Sequence, residues 1–183
     1  YTPNMHPFSW RGWWDYGTGA LGDVGCHLID IPFRTLGLKY PTAAECSVGS
    51  VYSKMWTPDY IPEGCPPSSL ITINFEATEK SKSPIQMTWS DGGIRPPHPE
   101  IIPANDDIGG KDSANGVLII GEKGIISTNI NDSSPLMPKL YLYDGTTDFG
   151  PEVEKMTEPE YGHQRKWVDA CKAGFNSKQH MEL

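Results

Sequence analysis

Long apolar runs are missing from this sequence. No stretch approaches the roughly 20 consecutive apolar residues that a membrane-spanning helix needs, and no signal-type segment opens the chain. Basic residues are scarce: 15 Lys and Arg stand against 23 Asp and Glu, a formal net charge of -8. Nucleic acid and anionic membrane surfaces need clustered cations, so neither is an expected partner. A neutral small molecule is compatible with the charge. Cysteine is sparse as well. Cys26, Cys46, Cys65 and Cys171 contain no C-x-x-C pair, which excludes a zinc ribbon or a thioredoxin-like motif. A Cys46–Cys65 disulfide stays open, and so does the compartment, cytoplasmic or periplasmic. No metal site is expected. What is plentiful is Gly (19) and Pro (17), and only 37% of the residues are hydrophobic. Such a chain forms one loop-rich domain with a modest core. Tyr1 is an unusual first residue, and the sequence reads as cut at its front and ending early at Leu183. The triplet Asn131-Asp132-Ser133 is too short to support a glycosylation argument.

Residues 1–16 hold Tyr1, Phe8, Trp10, Trp13, Trp14 and Tyr16 and read as an ordered aromatic loop. From Gly19 the pattern turns helical, with Leu21, Val24, Leu28, Ile29 and Phe33 at three- and four-residue steps. Pro32 should kink or shorten that helix, and Gly37 should stop it. Thr42–Lys54 reads as one strand and the proline-rich residues 56–68 as a loop. Leu70–Phe75 and Ile85–Trp89 are strands joined by a polar hairpin connection. Residues 91–115 form a long Gly/Pro/Asp loop, a length that is usually functional or mobile. Val117–Ile120 and Ile125–Thr128 make a second hairpin, and Leu140–Tyr143 adds a strand. A helix over 160–173 closes the chain, with Trp167, Ala170 and Cys171 as its apolar side. The fold class is α+β: an open-faced, largely antiparallel mixed sheet with helices packed on one face.

Gly17-Thr-Gly19-Ala-Leu-Gly22 matches G-x-G-x-x-G letter for letter. The dinucleotide fingerprint needs a buried strand before it, and Trp10–Tyr16 is too bulky and polar for one. A tight turn opening the helix is the simpler role. Gly110-Lys111 is not a P-loop, because no glycine stands five positions before Gly110. Asp23 and His27 are four residues apart and Asp30 is three further on, so all three project from one side of a helix. Spacing alone fits a solvated face, with Asp23 capping the first turn and pairing with His27, and Asp30 bridging Arg34. The chemical alternative uses an imidazole, which titrates near neutrality, to take a hydroxyl proton. Asp23 then orients the ring or holds a neighbouring hydroxyl, and Gly25 lets substrate or cofactor approach the helix backbone.

Trp14-Asp-Tyr-Gly-Thr-Gly-Ala-Leu-Gly-Asp-Val-Gly-Cys-His-Leu-Ile-Asp30 resembles the Gly-rich, Asp-x-x-x-His element of the Gfo/Idh/MocA oxidoreductases, the glucose-fructose oxidoreductase and inositol dehydrogenase relatives. Val117-Leu-Ile-Ile-Gly-Glu-Lys-Gly124 is similar to the family's G-x-x-G strand pair, and His163–Gly174 to its late helix. The middle of the chain is covered only loosely. The resemblance implies an N-terminal Rossmann domain that binds NAD or NADP, followed by a C-terminal α/β domain whose sheet makes oligomer contacts. Residues 1–183 then correspond to a partial C-terminal substrate and oligomerisation domain, and the Rossmann domain is absent from this chain. Asp23 and His27 match the family's substrate and catalytic positions. The family's Glu-Lys-Pro lysine has no counterpart here, and Thr18 stands where many relatives carry a further glycine.

The function expected is hydride transfer between a sugar or polyol and NAD(P), with His27 as acid/base and Asp23 as its partner. Trp13, Trp14, Arg11 and Asp30 are the expected substrate-binding residues, and Gly25 a cofactor contact. Trp89, in a strand, is read first as core. Asp91, Arg95 and His98 flank loops near a possible pocket, and His163 opens the last helix as a cap or surface residue. The chain alone should be inactive. Other partners expected are further copies of the chain, docked through the sheet. A glycosidase or lyase using transient NAD oxidation, as in the family's NAD-dependent α-N-acetylgalactosaminidase branch, is a second reading, distinguished by retained NADH. A non-catalytic sugar-binding or assembly module is a third.

Overall fold

The apolar spacing that begins at Gly19 does form a helix, and proline decides where it breaks. Helix α1 spans Gly19–Leu28 and α2 spans Asp30–Leu36. Pro32 has no N–H to donate to the carbonyl of Leu28, so the ladder fails there. The break falls at Ile29, three residues upstream of the proline. Ile29 N–H still bonds Gly25 O at 2.7 Å, and Phe33 N–H bonds Ile29 O at 2.9 Å, so the axis continues with a hinge. Gly37 ends α2 in the left-handed region (φ 64°, ψ 36°). Leu38 N–H then reaches back to Phe33 O at 2.9 Å, the six-to-one closure of a Schellman end, and Leu38 itself is buried.

The computed structural model describes residues 8–106, 108, 115–129, 138–146 and 162–174. The chain divides into two compact units, Tyr1–Thr147 and Asp148–Leu183. The first unit contains α1, α2 and eight strands: β1 (Ala43–Val48), β2 (Val51–Lys54), β3 (Thr57–Asp59), β4 (Ser69–Phe75), β5 (Ile85–Ser90), β6 (Gly116–Ile120), β7 (Gly124–Asn129) and β8 (Lys139–Leu142). They form three small sheets, ordered β1-β4-β5, β2-β3 and β6-β7-β8, and every pairing is antiparallel. The class is α+β with open antiparallel sheets, as the order of elements implies.

Two expectations need correction. Thr42–Lys54 is not one strand: β1 ends at Val48, and β2 belongs to a different sheet. Gly49 N–H makes one last bond to Ser68 O at 2.9 Å before the chain leaves β4. The proline-rich loop also holds a strand, because β3 pairs with β2 through Val51–Asp59, Tyr52–Pro58 and Lys54–Thr57. A two-stranded ribbon has only edge strands, and an edge tolerates Pro58 without an N–H.

In the β1-β4-β5 sheet the pattern of period two places Ile71, Ile73 and Phe75 opposite Trp89, Met87 and Ile85. Phe75 and Trp89 are buried, whereas Gln86 and Thr88 on the other face are exposed. Trp89 is therefore core, as its strand position suggests. Ile73 shares a groove with α1 and α2, so the helices lie over the apolar face and the polar face stays open. Thr78 Oγ1–H donates to Leu36 O at 2.7 Å and ties the end of α2 to the β4–β5 connection.

The second unit is described through α3 (Gly162–Ala173). Of its expected apolar side only Ala170 is buried; Trp167 is 63% exposed and Cys171 is exposed. The described residues of this unit comprise that helix and Gly174 alone, so they offer no second element to cover the indole. The side chain of His163 and the triplet at 131–133 lie outside the described residues. No helix among the described residues is long and apolar enough to cross a membrane.

Candidate functional site

The glycines before α1 pack the turn. A 3-10 turn, Ser9–Gly12, precedes them, followed by an isolated bridge at Trp13, so no strand leads into the helix. Gly17 lies so close to the main chain of Arg11 that a Cβ would stand 2.4 Å from its carbonyl oxygen. Gly19 opens α1 at φ +69°, with Cys65 against it. These are close-approach and left-handed positions, which glycine alone fills without strain. They do not form a pyrophosphate cradle.

Asp23 and His27 sit one turn apart on α1. Asp23 is half-buried, and its Oδ1 stands 2.9 Å from Nε of Arg11. The Nε–H does not point at that oxygen, so the contact is a charge pairing and not a well-formed hydrogen bond. Arg11 is itself held: Nη1 donates to Phe8 O at 2.9 Å, and the guanidinium lies 4.5 Å from the Phe8 ring and 5.2 Å from the Trp10 ring. Asp23 thus clamps the aromatic turn to α1 and is paired with Arg11, not with His27. His27 is exposed and bonds none of the described residues. Trp13 is half-buried, bridged to Gly64, and Trp14 is 53% exposed, its N–H on Glu63 O at 2.9 Å.

The opposite side of α1 faces an open groove of about 500 Å³ lined by Leu21, Gly25, Cys26, Ile29, Asp30, Phe33 and Ile73. Gly25 and Asp30 belong to this groove; Asp23 and His27 do not. No Asp30–Arg34 bridge forms; the Arg34 side chain is exposed and its backbone carbonyl accepts from Lys80 Nζ at 3.4 Å. All four cysteines are free, so the Cys46–Cys65 pair is not bonded: Cys46 is exposed on β1 and Cys65 packs under Gly19. Burial pushes the Cys65 thiol above its ordinary value. Among the described residues no group of three or more His, Cys, Asp or Glu is placed to hold a metal ion.

Two polar clusters escape sequence reasoning. Asp91 accepts from Ser69 N–H at 2.7 Å, Ser69 Oγ–H at 2.6 Å and Trp89 Nε1–H at 2.7 Å. It is a structural clamp across β4 and β5. Asp106 accepts from Lys139 Nζ at 2.5 Å and from the Tyr141 hydroxyl, tying the long loop to β8. His98 belongs to the same loop, its Nδ1 3.1 Å from Pro99 O and its Nε2 3.4 Å from Asp106 O. Lys139 and Tyr141 lie 33 and 35 residues beyond Asp106, and Ser69 lies 22 before Asp91, so no short-range spacing signals these contacts.

The Asp106 cluster sets a pH dependence. The Lys139 and Tyr141 hydrogen bonds hold the Asp106 carboxyl below the usual carboxylate range. Burial, then the bond to Asp106, pushes the Tyr141 phenol up to about 12. A depressed acid contributes stability above its unfolded value, near 3.9, that is lost as pH falls through the lower folded value. A raised phenol contributes stability that is whole below about pH 10 and disappears as pH rises towards 12. Thermal unfolding of Tyr141→Phe should therefore lie below that of the parent by a constant gap across neutral pH. The gap should close between about pH 10 and 12; a gap that stays constant through that window overturns the assignment.

Comparison of the sequence with protein-family models and with curated proteins finds no match in either.

Proposed function

We propose that this chain is the substrate-side portion of an NAD(P)-dependent oxidoreductase acting on a sugar or polyol. The observation that carries the reading is the local geometry of α1. A glycine-packed turn delivers a helix whose exposed His27, unbonded among the described residues, stands one turn beyond an ion-paired Asp23, beside an aromatic segment that includes Trp13 and Trp14. The resemblance of residues 14–30 to the Asp-x-x-x-His element gives that geometry its chemistry. His27, which bonds none of the described residues, takes the proton of the substrate hydroxyl. Arg11 fixes Asp23 so that its remaining oxygen can accept from a second hydroxyl, and exposed Trp14 offers a face to the sugar's C–H groups. The glycines before α1 are occupied in packing, so the dinucleotide, which supplies the oxidation, sits on a separate domain in this reading. Further copies of the chain are proposed to dock through the open sheet.

The test is a comparison of sugar-dependent NAD(P) reduction. The chain joined to an NAD(P)-binding Rossmann domain should turn over a sugar or polyol, and the 183-residue chain alone should not. Reduction by the chain alone, or none by the joined protein across a panel of sugars and polyols, overturns the proposal.

A further inference from the structure

An asparagine followed by glycine carries its own chemistry. The side-chain carbonyl carbon can close a small ring onto the next main-chain nitrogen, and glycine puts no side chain in the way. The sequence holds one such pair, Asn115-Gly116, at the entry to β6. Whether that nitrogen is free depends on the register of the sheet. Gly121 N–H bonds Gly124 O at 2.9 Å at the β6–β7 turn, so these two residues form a hydrogen-bonded pair. Such pairs alternate along an antiparallel ladder with pairs whose amides point away from the partner strand. The register runs without a shift from Ile120–Ile125 to Gly116–Asn129. Counted back from Gly121, Ile119 and Val117 aim their amides at β7, and Gly116 aims its N–H outward. β6 is an edge of its sheet, so among the described residues no strand meets that N–H. The Asn115 side chain bonds none of the described residues. Both residues are half-buried and reachable by water.

Comparable positions are closed. At Asp144-Gly145 the glycine N–H donates to Leu142 O at 3.0 Å, and Asp144 Oδ1 accepts from Thr146 N–H at 2.9 Å. At Asp91-Gly92 the carboxylate is engaged by Ser69 and Trp89. After Asn105, the Asp106 N–H donates to Pro103 O at 2.8 Å. Asn74 lies in the central strand β4, and its Oδ1 accepts from Gln86 Nε2 at 3.3 Å. We propose that Asn115 is a site of spontaneous deamidation in the folded chain. The Gly116 nitrogen gives its proton to solvent base and attacks Cγ of Asn115. The new Cγ–N bond forms, the bond from Cγ to Nδ2 breaks, and ammonia leaves with a proton taken from water. Water then adds to one of the two carbonyls of the cyclic imide. One opening yields aspartate, and the other an isoaspartyl link whose main chain runs through Cβ and Cγ. Both add a negative charge to a chain already at -8. The isoaspartyl form also inserts a methylene where the ladder begins, at the Gly116–Asn129 pair. The inference does not depend on the oxidoreductase reading.

The test follows heavy oxygen. The full chain is incubated in mildly alkaline water enriched in the heavy isotope, then digested in ordinary water and mapped by mass spectrometry. The peptide containing Asn115 should take up the label in two chromatographic forms, isoaspartyl and aspartyl, at a rate that rises with hydroxide. Asn74, Asp91, Asn105 and Asp144 should stay unlabelled. Gly116 does not adopt a left-handed conformation, so alanine fits there without backbone strain. Gly116→Ala, whose methyl shields the nitrogen, should slow the uptake by roughly tenfold or more, a barrier change of about 1.4 kcal/mol. Asn115→Gln, which would have to close a larger ring, should show none at that position. No uptake at Asn115 in the time a free peptide of the same sequence half-converts overturns the proposal. So does faster conversion at Asp91, Asn105 or Asp144. Uptake at Asn115 that ignores both hydroxide and Gly116→Ala marks direct hydrolysis and overturns it as well.

Discussion

If the proposed oxidoreductase reading holds, His27→Ala is expected to lower turnover by roughly a hundredfold or more when the chain is paired with a dinucleotide-binding domain, with cofactor affinity unchanged. The size follows from what a positioned general base contributes. The variant is informative because of where the side chain lies. His27 is exposed and bonds none of the described residues, so its removal opens no cavity and orphans no buried group. A loss of rate is then a loss of chemistry and not of folding. Asp23→Asn is the natural companion. It breaks the pairing with Arg11, which in turn lies over Phe8 and Trp10, so it should loosen the aromatic segment and raise KM more than it lowers kcat. Thermal midpoints separate the two variants, with His27→Ala near the parent. Unchanged turnover in His27→Ala removes that residue from the mechanism, and an equal KM effect in both removes the distinct role given to Asp23.

Asp91→Ala is expected to have the largest effect on stability. Its carboxylate accepts from the Ser69 amide, the Ser69 hydroxyl and the Trp89 indole N–H, all within 2.6–2.7 Å. Ser69 and Trp89 are buried, at 8% exposure each. Alanine leaves three donors without an acceptor where water enters poorly. Bonds to a charged acceptor contribute more than neutral ones, and a stranded buried donor adds its desolvation cost, so the loss should reach about 3 kcal/mol. For a unit of this size that lowers the thermal midpoint by roughly 10 °C. Asp91→Asn, which keeps one acceptor oxygen, should recover part of it. A midpoint within a degree or two of the parent in Asp91→Ala would show that the clamp is dispensable.

The strands and helices were largely legible from local pattern. Alternation along Ile85–Trp89 marked the inward face of β5, and the spacing from Leu21 to Phe33 marked a helix with a stop at Gly37. The errors lie where a local cue had two meanings. Pro32 announced a break, yet the break falls one turn earlier, because proline's missing donor is felt at Leu28. Prolines at 58 and 62 read as loop, yet Pro58 pairs with Tyr52 on a ribbon that has no inner strand. Thr42–Lys54 reads as one strand, and only pairing with β4 shows where one sheet ends.

Along the candidate site the division is similar. Sequence spacing places Asp23 and His27 on one side of α1, because helical periodicity is set by the backbone, whereas the grouping of Gly25 and Asp30 with them is not kept: both line the groove instead. It also identifies the glycines as unsuited to follow a buried strand. Tertiary structure alone decides that Asp23 pairs with Arg11, that Asp91 and Asp106 are clamps, and that the aromatic hairpin stands uncovered. Those outcomes depend on side chains brought together across loops, and the closure of a loop leaves no periodic trace in the order of residues.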